Sequence, residues 1–472
     1  MQKAVRKLRV VAAAEHGEWN AAASAELYNI RNWGAGYFDI NDAGEVTVHV
    51  PAGGAVATVS LMEIIKGMQQ RGLNMPVLLR LDNLLEAQIA LLNNTFAKAI
   101  QTLGYQAQYR GVFPIKVNQQ CAVIEELARV GAFYGHGLEA GSKAELLIAL
   151  AHLEPDTGYI ICNGYKDEEF VDLALQSLRL GFKCLIVLET STELPIILEA
   201  SKRLGVRPML GVRVKLAAKV EGHWNESSGD RSIFGLTTAQ IVETIDALRA
   251  HEMLDCLQLL HYHLGSQIPN IRDIRGGVQE ACRYYVALKK EGAALGYLDL
   301  GGGLGVDYDG SQTNSHHSKN YSLDEYCTDV IETIMSTLGP AEIAHPVIVT
   351  ESGRATVAYS SVLLFNIVDV TSYEPGESAP VVPEDEHELV KNLREVLNGV
   401  SAKTAKECYN DATYYREEIR ELFRRGQIAL RSLSLAESIY LHIVWAIVGV
   451  LQRVRRVPAG FEFPVANWQQ HP

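Results

Sequence analysis

The sequence predicts an α/β protein built on a (β/α)8 TIM barrel. Eight short apolar runs, each ending in glycine or a polar residue, occupy the middle of the chain. Between them lie stretches of helical length whose apolar residues recur at i, i+3 and i+4, such as AVIEELARV (122–130), SKAELLIALAHL (142–153) and EEFVDLALQSLRL (168–180). Continuous apolar strands alternating with helices imply a parallel sheet buried on both faces. Eight such units over about 240 residues suit a closed barrel in number and size. A doubly wound open sheet is the alternative, and usually has fewer strands.

The predicted strands are, in order, VFPIKV (112–117), HGLEA (136–140), YIICN (159–163), KCLIVL (183–188), PMLGVRV (208–214), LQLLHYH (257–263), YLDLGG (297–302) and PVIVTESG (346–353). Before them, GYFDINDAGEVTVHV (36–50) reads as a hairpin turning at DAG. After them, VAYSSVLLFNIVDVT (357–371) is strand-like, with Val362, Leu364, Ile367 and Val370 as an apolar face. EPGESAPVVP (374–383) has linker composition. DEHELVKNLREVL, YYREEIRELFRRG and LSLAESIYLHIVWAIVGVLQRV, within 384–456, carry helix-period apolar faces. The predicted organisation is an N-terminal segment (1–95) with the hairpin, a barrel (96–356), a strand-like stretch and linker (357–383), and a helical C-terminal part (384–472).

Composition narrows the class. At 472 residues the chain is too long for one ordinary domain, and its 47% hydrophobic and 21% charged content is that of a soluble globular protein. A net charge of −13 argues against nucleic acid and an anionic membrane surface as partners. The seven cysteines are scattered without CxxC spacing, so neither a disulfide framework nor a zinc site is indicated. The basic start has too short an apolar run for a signal peptide. The run IVWAIVGVL (443–451) is far short of the ~20 residues that span a bilayer. A cytoplasmic protein is expected.

Barrel enzymes place their chemistry at the C-terminal ends of the strands. Those ends carry Lys116, Glu139, Asn163, Arg213, His261-Tyr262-His263-Leu264-Gly265-Ser266, Gly301-Gly302-Gly303-Leu304-Gly305 and Glu351-Ser352-Gly353-Arg354. Taken singly, each has a bland explanation: a surface lysine, a tight glycine turn, a solvated charge, a core histidine. Together they put charge, imidazole and backbone donors on one rim. A lysine among apolar groups has a lowered pKa and can form a Schiff base with an aldehyde. An alanine in its place leaves no buried charge behind, so the fold is expected to tolerate Lys116→Ala. A triple glycine admits an anion to the backbone, and Arg354 can pair with phosphate oxygens. Glu351 can hold a proton on a pyridine nitrogen, and His263 can stack on a flat ring. The set adds up to pyridoxal phosphate.

These residues resemble the alanine racemase-type (fold type III) pyridoxal-phosphate enzymes, and within them the biosynthetic arginine decarboxylases. The supporting stretches are LYNIRNWGAGYFDINDAGEVTV (27–48), MPVLLRLDNLL (75–85), GVFPIKVNQQ (111–120), GHGLEAGSKAELL (135–147), LLHYHLGSQIPNI (259–271), YLDLGGGLGVDYDG (297–310), NYSLDEY (320–326) and TESGRATVAYSS (350–361), within about residues 25–445. The resemblance implies Lys116 as the Schiff-base lysine, His263 as the ring-stacking histidine and Glu351 as the partner of the ring nitrogen. It implies Ser266, Arg354 and the triple glycine Gly301, Gly302 and Gly303 as the phosphate cradle. Glu139 matches an acid beside lysine and cofactor, and Arg213 an arginine orienting the polar network. The implied reaction is L-arginine to agmatine and CO2, an entry to putrescine and spermidine. The resemblance also implies a magnesium requirement with unassigned ligands, and a homo-oligomer built from dimers.

In this family a β-rich domain is completed after the helical insertion, supplying a Cys-Asp pair and a Tyr. RRVPAGFEFPVANWQQHP (455–472) does not resemble that continuation. The chain is therefore expected to be C-terminally truncated, to leave its β region poorly covered, and to make little or no agmatine alone. Two other readings stay open: another fold type III decarboxylase acting on ornithine, lysine or diaminopimelate, and a non-catalytic barrel that binds a partner subunit.

Overall fold

The computed structural model describes residues 20–52, 54–217, 232–371 and 373–451, and the chain divides into two compact units between Asn366 and Ile367. The predicted tail 455–472 and the basic first residues lie outside the described residues.

Among the described residues of the first unit, two short helices (Ala21–Leu27 and Ile30–Trp33) precede a three-stranded antiparallel sheet of β1 (Phe38–Ile40), β2 (Val46–Ala52) and β3 (Ala55–Ser60). Phe38 faces Val48 across the predicted hairpin. Asn41 closes the turn, its side-chain oxygen accepting from the N–H groups of Ala43 and Glu45. The sequence reading did not anticipate β3. The next strand, β4 (Val77–Arg80), precedes a long helix, Asp82–Leu103, whose Leu85, Ile89, Leu92, Phe96 and Ala99 are buried at helical spacing. Gly104, at φ 69°, ends that helix in the left-handed conformation glycine adopts freely. The helix runs through the 95/96 position where a domain boundary was expected.

Eight parallel strands then close a barrel: β5 (Tyr109–Pro114), β6 (Gly137–Ala140), β7 (Tyr159–Cys162), β8 (Lys183–Leu188), β9 (Met209–Arg213), β10 (Leu257–His261), β11 (Tyr297–Asp299) and β12 (Val347–Thr350), with β12 pairing back to β5. All eight predicted runs contribute a strand. Their apolar continuity follows from burial on both faces. Val112, Ile161, Leu185, Val187, Leu259 and Val349 fill the interior. Their neighbours Phe113, Ile160, Ile186, Leu260 and Ile348 pack in the larger core that includes the surrounding helices. The strand period of two therefore points every second residue inward.

Gly137 is where two strands come too close for a side chain. A Cβ there would lie 1.9 Å from the Tyr159 carbonyl oxygen and 2.6 Å from the Tyr159 nitrogen. Gly137→Ala is expected to push β6 off β7 and to cost about 3 kcal/mol, the upper part of the usual overpacking range, read as a lowered denaturation midpoint.

After the barrel, a short helix (Gly353–Val357) leads to β13 (Ser361–Leu364), which pairs antiparallel with β4. The expectation of a strand over 357–371 is thus corrected. Pairing ends where the four-residue partner Val77–Arg80 runs out. The expected apolar face is corrected too. Val362 and Leu364 pack against a small core containing Phe38, Val48 and Leu84. Ile367 and Val370 stay exposed, as expected of an uncovered face, so only the Val362 and Leu364 half is corrected.

Among its described residues the second unit holds three helices, Glu388–Asn398, Ala405–Arg424 and Leu430–Leu451, around a core of Val390, Leu393, Ala412, Ile419, Ile439, Ile443 and Ile447. Arg416 and Arg420 both pair with Glu437, at 2.8 and 2.6 Å. The nine-residue run 443–451 lies in a longer helix, Leu430–Leu451, that is long and apolar enough to cross a bilayer by length and composition alone. Its buried stripe, from Ala436 to Leu451, packs within this helical core.

Candidate active site

Period-two alternation decides what the barrel mouth contains. Two residues beyond the inward Gly137, Ile161, Val187, Gly211, Leu259, Tyr297 and Val349 stand Glu139, Asn163, Glu189, Arg213, His261, Asp299 and Glu351. One polar layer thus sits on an apolar one, at the C-terminal end of the strands.

Lys116 joins this layer from beyond its strand. Pro114 has no N–H to extend the ladder, and Ile115–Val117 forms a 3₁₀ turn. The Lys116 Nζ lies 2.6 Å from Glu139 Oε2; the lysine side chain is 53% exposed and Glu139 fully buried. Burial alone would lower the lysine's pKa. Glu139, then Glu351, outweigh it and hold the ammonium above its ordinary value. The expected lowered lysine is therefore corrected: its surroundings are anionic, not only apolar.

Asn163 Nδ2 donates to Glu139 Oε1 at 3.1 Å and to Glu351 Oε1 at 2.6 Å. It ties the two carboxyls together and leaves its own buried Oδ1 without a partner. Burial pushes the Glu351 carboxyl up to about 8; Asp299 and Glu139 add to the effect, while His261 and Lys116 oppose it. His263 accepts the Gly265 N–H at Nδ1 (3.0 Å), so its proton sits on Nε2. Burial, then the charges of Arg213, His261 and Lys116, keep this ring well below the usual histidine pKa, and so neutral.

Arg213 Nη1 donates to both oxygens of Glu189, at 3.1 and 3.0 Å, and its guanidinium lies over Phe234. Arg354 is different. Its Nε and Nη2 donate to Ser266 Oγ (3.2 and 3.0 Å) and its Nη1 to the Tyr308 hydroxyl (3.0 Å). Among the described residues no carboxylate pairs with it, and hydroxyls alone hold it. Beside it the glycine loop leaves no room for side chains. A Cβ on Gly302 would come within 3.1 Å of His263 Nε2, and one on Gly303, at φ +118°, within 2.6 Å of Ile268. Gly301 donates its N–H to Asp299 Oδ1 at 2.9 Å.

These groups fit pyridoxal phosphate. A guanidinium and a hydroxyl without a counter-anion stand beside a side-chain-free loop, and a lysine stands near a buried carboxyl with an imidazole close by. The structure brings together Lys116, Glu139 and Glu351; it places Ser266 with Arg354, and His263 with Gly301–Gly303. Sequence reasoning missed Asp299 and Glu189, and gave His261 no role. The inward parity of strand ends is the signal that finds all three. A cavity of ≈ 470 Å³, bounded by Tyr37, Leu304, Asp307, Lys319, Tyr321 and Tyr359, lies off this centre, and none of Lys116, His263 or Glu351 lines it. The convergent polar groups, not that cavity, make up the candidate site.

The pyridoxal-binding domain of the pyridoxal-dependent decarboxylases matches residues 89–358, and the arginine decarboxylase helical bundle domain matches 383–461. The biosynthetic arginine decarboxylase of Gloeobacter violaceus is 42% identical over 93% of this chain and 68% of its own length. That of Nostoc sp. is 43% identical over 94% of this chain and 65% of its own length. The chain spans about two thirds of the length of these relatives. The structure of the biosynthetic arginine decarboxylase from Campylobacter jejuni superposes with a TM-score of 0.76 at 30% identity, covering 90% of this chain and 70% of that one. A diaminopimelate decarboxylase from Helicobacter pylori, 20% identical with a TM-score of 0.52 over 63% of this chain and 68% of that one, shares the fold alone.

Proposed function

The chain belongs to the biosynthetic arginine decarboxylases, a pyridoxal-dependent family, and from that premise we propose that it converts L-arginine to agmatine and CO2 for polyamine synthesis. The observation that carries the reading is Arg354, a guanidinium held only by hydroxyls next to the glycine loop, on the same rim as Lys116 and Glu351. In this reading Arg354, Ser266 and the Gly301–Gly303 backbone hold the phosphate. Lys116 holds the cofactor's aldehyde carbon. Glu351 keeps a proton at the ring nitrogen, and His263, neutral, covers a ring face. Glu139 holds Lys116 in place, and Arg213 orients the polar network through Glu189. When bound, the cofactor supplies a sink for the electron pair left at Cα as CO2 departs.

Magnesium is a further family expectation. Among the described residues, the group whose donor atoms cluster closely enough for an ion is His261, Asp299 and Glu351. It fits magnesium poorly, because that ion prefers six oxygens and keeps several waters, whereas these residues are buried and include an imidazole. No step is assigned to a metal. A cytoplasmic setting and assembly from dimers belong to the same proposal. The expectation of little or no agmatine rested on the family's Cys-Asp pair, Tyr and further β strands, which 455–472 does not resemble; that tail lies outside the described residues.

The reading is tested by CO2 release from carboxyl-labelled arginine, ornithine and lysine in parallel. Release from arginine is expected to exceed the others by at least ~10-fold. One prediction concerns the cradle. Arg354→Met should weaken cofactor binding ~10–100-fold, from a lost charge-assisted contact of about 1.5–3 kcal/mol, measured by equilibrium dialysis. Unchanged affinity would place the phosphate elsewhere.

A further inference from the structure

The charges of the inner layer pair off unevenly. Lys116 holds Glu139, Arg213 holds Glu189, and the buried Lys166 holds Glu193. Two buried carboxyls, Asp299 and Glu351, are left with no lysine or arginine of their own. Between them stands His261, fully buried at the end of β10. Its Nδ1 is 3.0 Å from Asp299 Oδ2 and 3.8 Å from Glu351 Oε1. The first approach is close but not aligned as a hydrogen bond, and Nε2 has no partner either. Asp299 cannot turn away, since its other oxygen takes the Gly301 N–H.

We infer that His261 is a positioning residue for the reaction: carried as an imidazolium on Asp299, it partly compensates the second carboxyl, Glu351, and makes that carboxyl easier to ionise at the barrel mouth. Two carboxyls buried side by side cannot both ionise without a cation. The charged groups acting on His261 are Asp299, Glu351 and Arg213, with Glu189 beyond Arg213. Those acting on Glu351 are Asp299, His261, Glu139 and Lys116. Burial would strip His261 of its proton, but Asp299 and then Glu351 outweigh it and raise its pKa. For Glu351, His261 is the strongest of the groups opposing the upward push. The value of this to catalysis rests on the reading that Glu351 faces the ring nitrogen; the coupling of the two residues does not.

The test therefore has two arms. In the cofactor-free chain with ¹³C-labelled glutamate, infrared spectroscopy follows the protonated-carboxyl band that Glu351→Gln removes. Its midpoint is expected at about 8 in the parent protein. In His261→Gln it should rise by ~1 pH unit or more. Asp299→Asn should move it the other way, which keeps the inference testable if His261→Gln does not fold. A midpoint indifferent to both changes would overturn the inference, as would a stoichiometric divalent ion that is lost with His261. In the second arm, His261→Gln loaded with pyridoxal phosphate should lose ~10-fold or more in kcat with little change in KM for arginine. N-methyl pyridoxal phosphate, whose ring nitrogen is permanently cationic, should recover most of that loss, which it could not do for a merely structural defect. A shifted infrared midpoint without this recovery upholds the coupling and refutes the placing of the ring nitrogen at Glu351.

Discussion

Lys116→Ala is expected to abolish covalent attachment of pyridoxal phosphate and to lower turnover by at least about 10³-fold, some 4 kcal/mol of transition-state stabilisation. Borohydride reduction and peptide mapping of the parent protein should place the pyridoxyl group on Lys116. A label on another lysine would refute the assignment. The substitution also tests the fold, where the structure revises the expectation from sequence. Removing the ammonium strands Glu139, which is fully buried and 2.6 Å away. The lysine itself is half exposed, so the cost is discounted from that of a buried pair to about 1–2 kcal/mol. Lys116→Ala combined with Glu139→Gln should regain most of it. The lysine's pKa is raised on folding. Its contribution is therefore complete below the unfolded value of 10.5 and is lost only as pH climbs through the higher folded value.

Glu351→Ala is expected to retain cofactor and lose about 10²-fold in kcat, roughly 3 kcal/mol. N-methyl pyridoxal phosphate should restore at least part of the rate. Near-normal turnover of the variant would move the ring-nitrogen role to another residue. The same carboxyl sets a pH signature in the cofactor-free chain. Folded, it keeps its proton up to about pH 8, against 4.5 for the free side chain. Between those values the native state binds the extra proton, so stability falls as pH rises through the window. Glu351→Gln should flatten that slope in a series of thermal melts.

The barrel was legible because its strands are apolar on both faces, and runs such as KCLIVL have no other stable place than a covered parallel sheet. The rim was legible wherever a charge stood at or just past a strand end, as with Lys116, Glu139, Arg213 and Glu351. Asp299 was hidden inside YLDLGG, where it reads as one polar residue before a glycine turn. Glu189 follows KCLIVL directly, yet looks like a solvated helix-start acid. Both become visible once every inward position is counted in steps of two from the apolar layer below. The small sheets were less legible, because their pairings join distant segments. β4 finds β13 more than 270 residues later, and four residues of VLLR give no local sign of where that partner stops. Alternation over 357–371 suggests a long strand; only the length of the partner limits it to Ser361–Leu364.

Carboxyl-labelled CO2 release tests the central claim most directly, with arginine, ornithine, lysine and diaminopimelate offered to the purified chain loaded with pyridoxal phosphate. Whatever CO2 the chain releases is expected to come from arginine at least ~10-fold above the others, and to be abolished by Lys116→Ala. Preferential release from another substrate would contradict it, whereas a chain that carries the cofactor on Lys116 and releases nothing from any of the four would bear out the expectation of little or no agmatine from this chain alone.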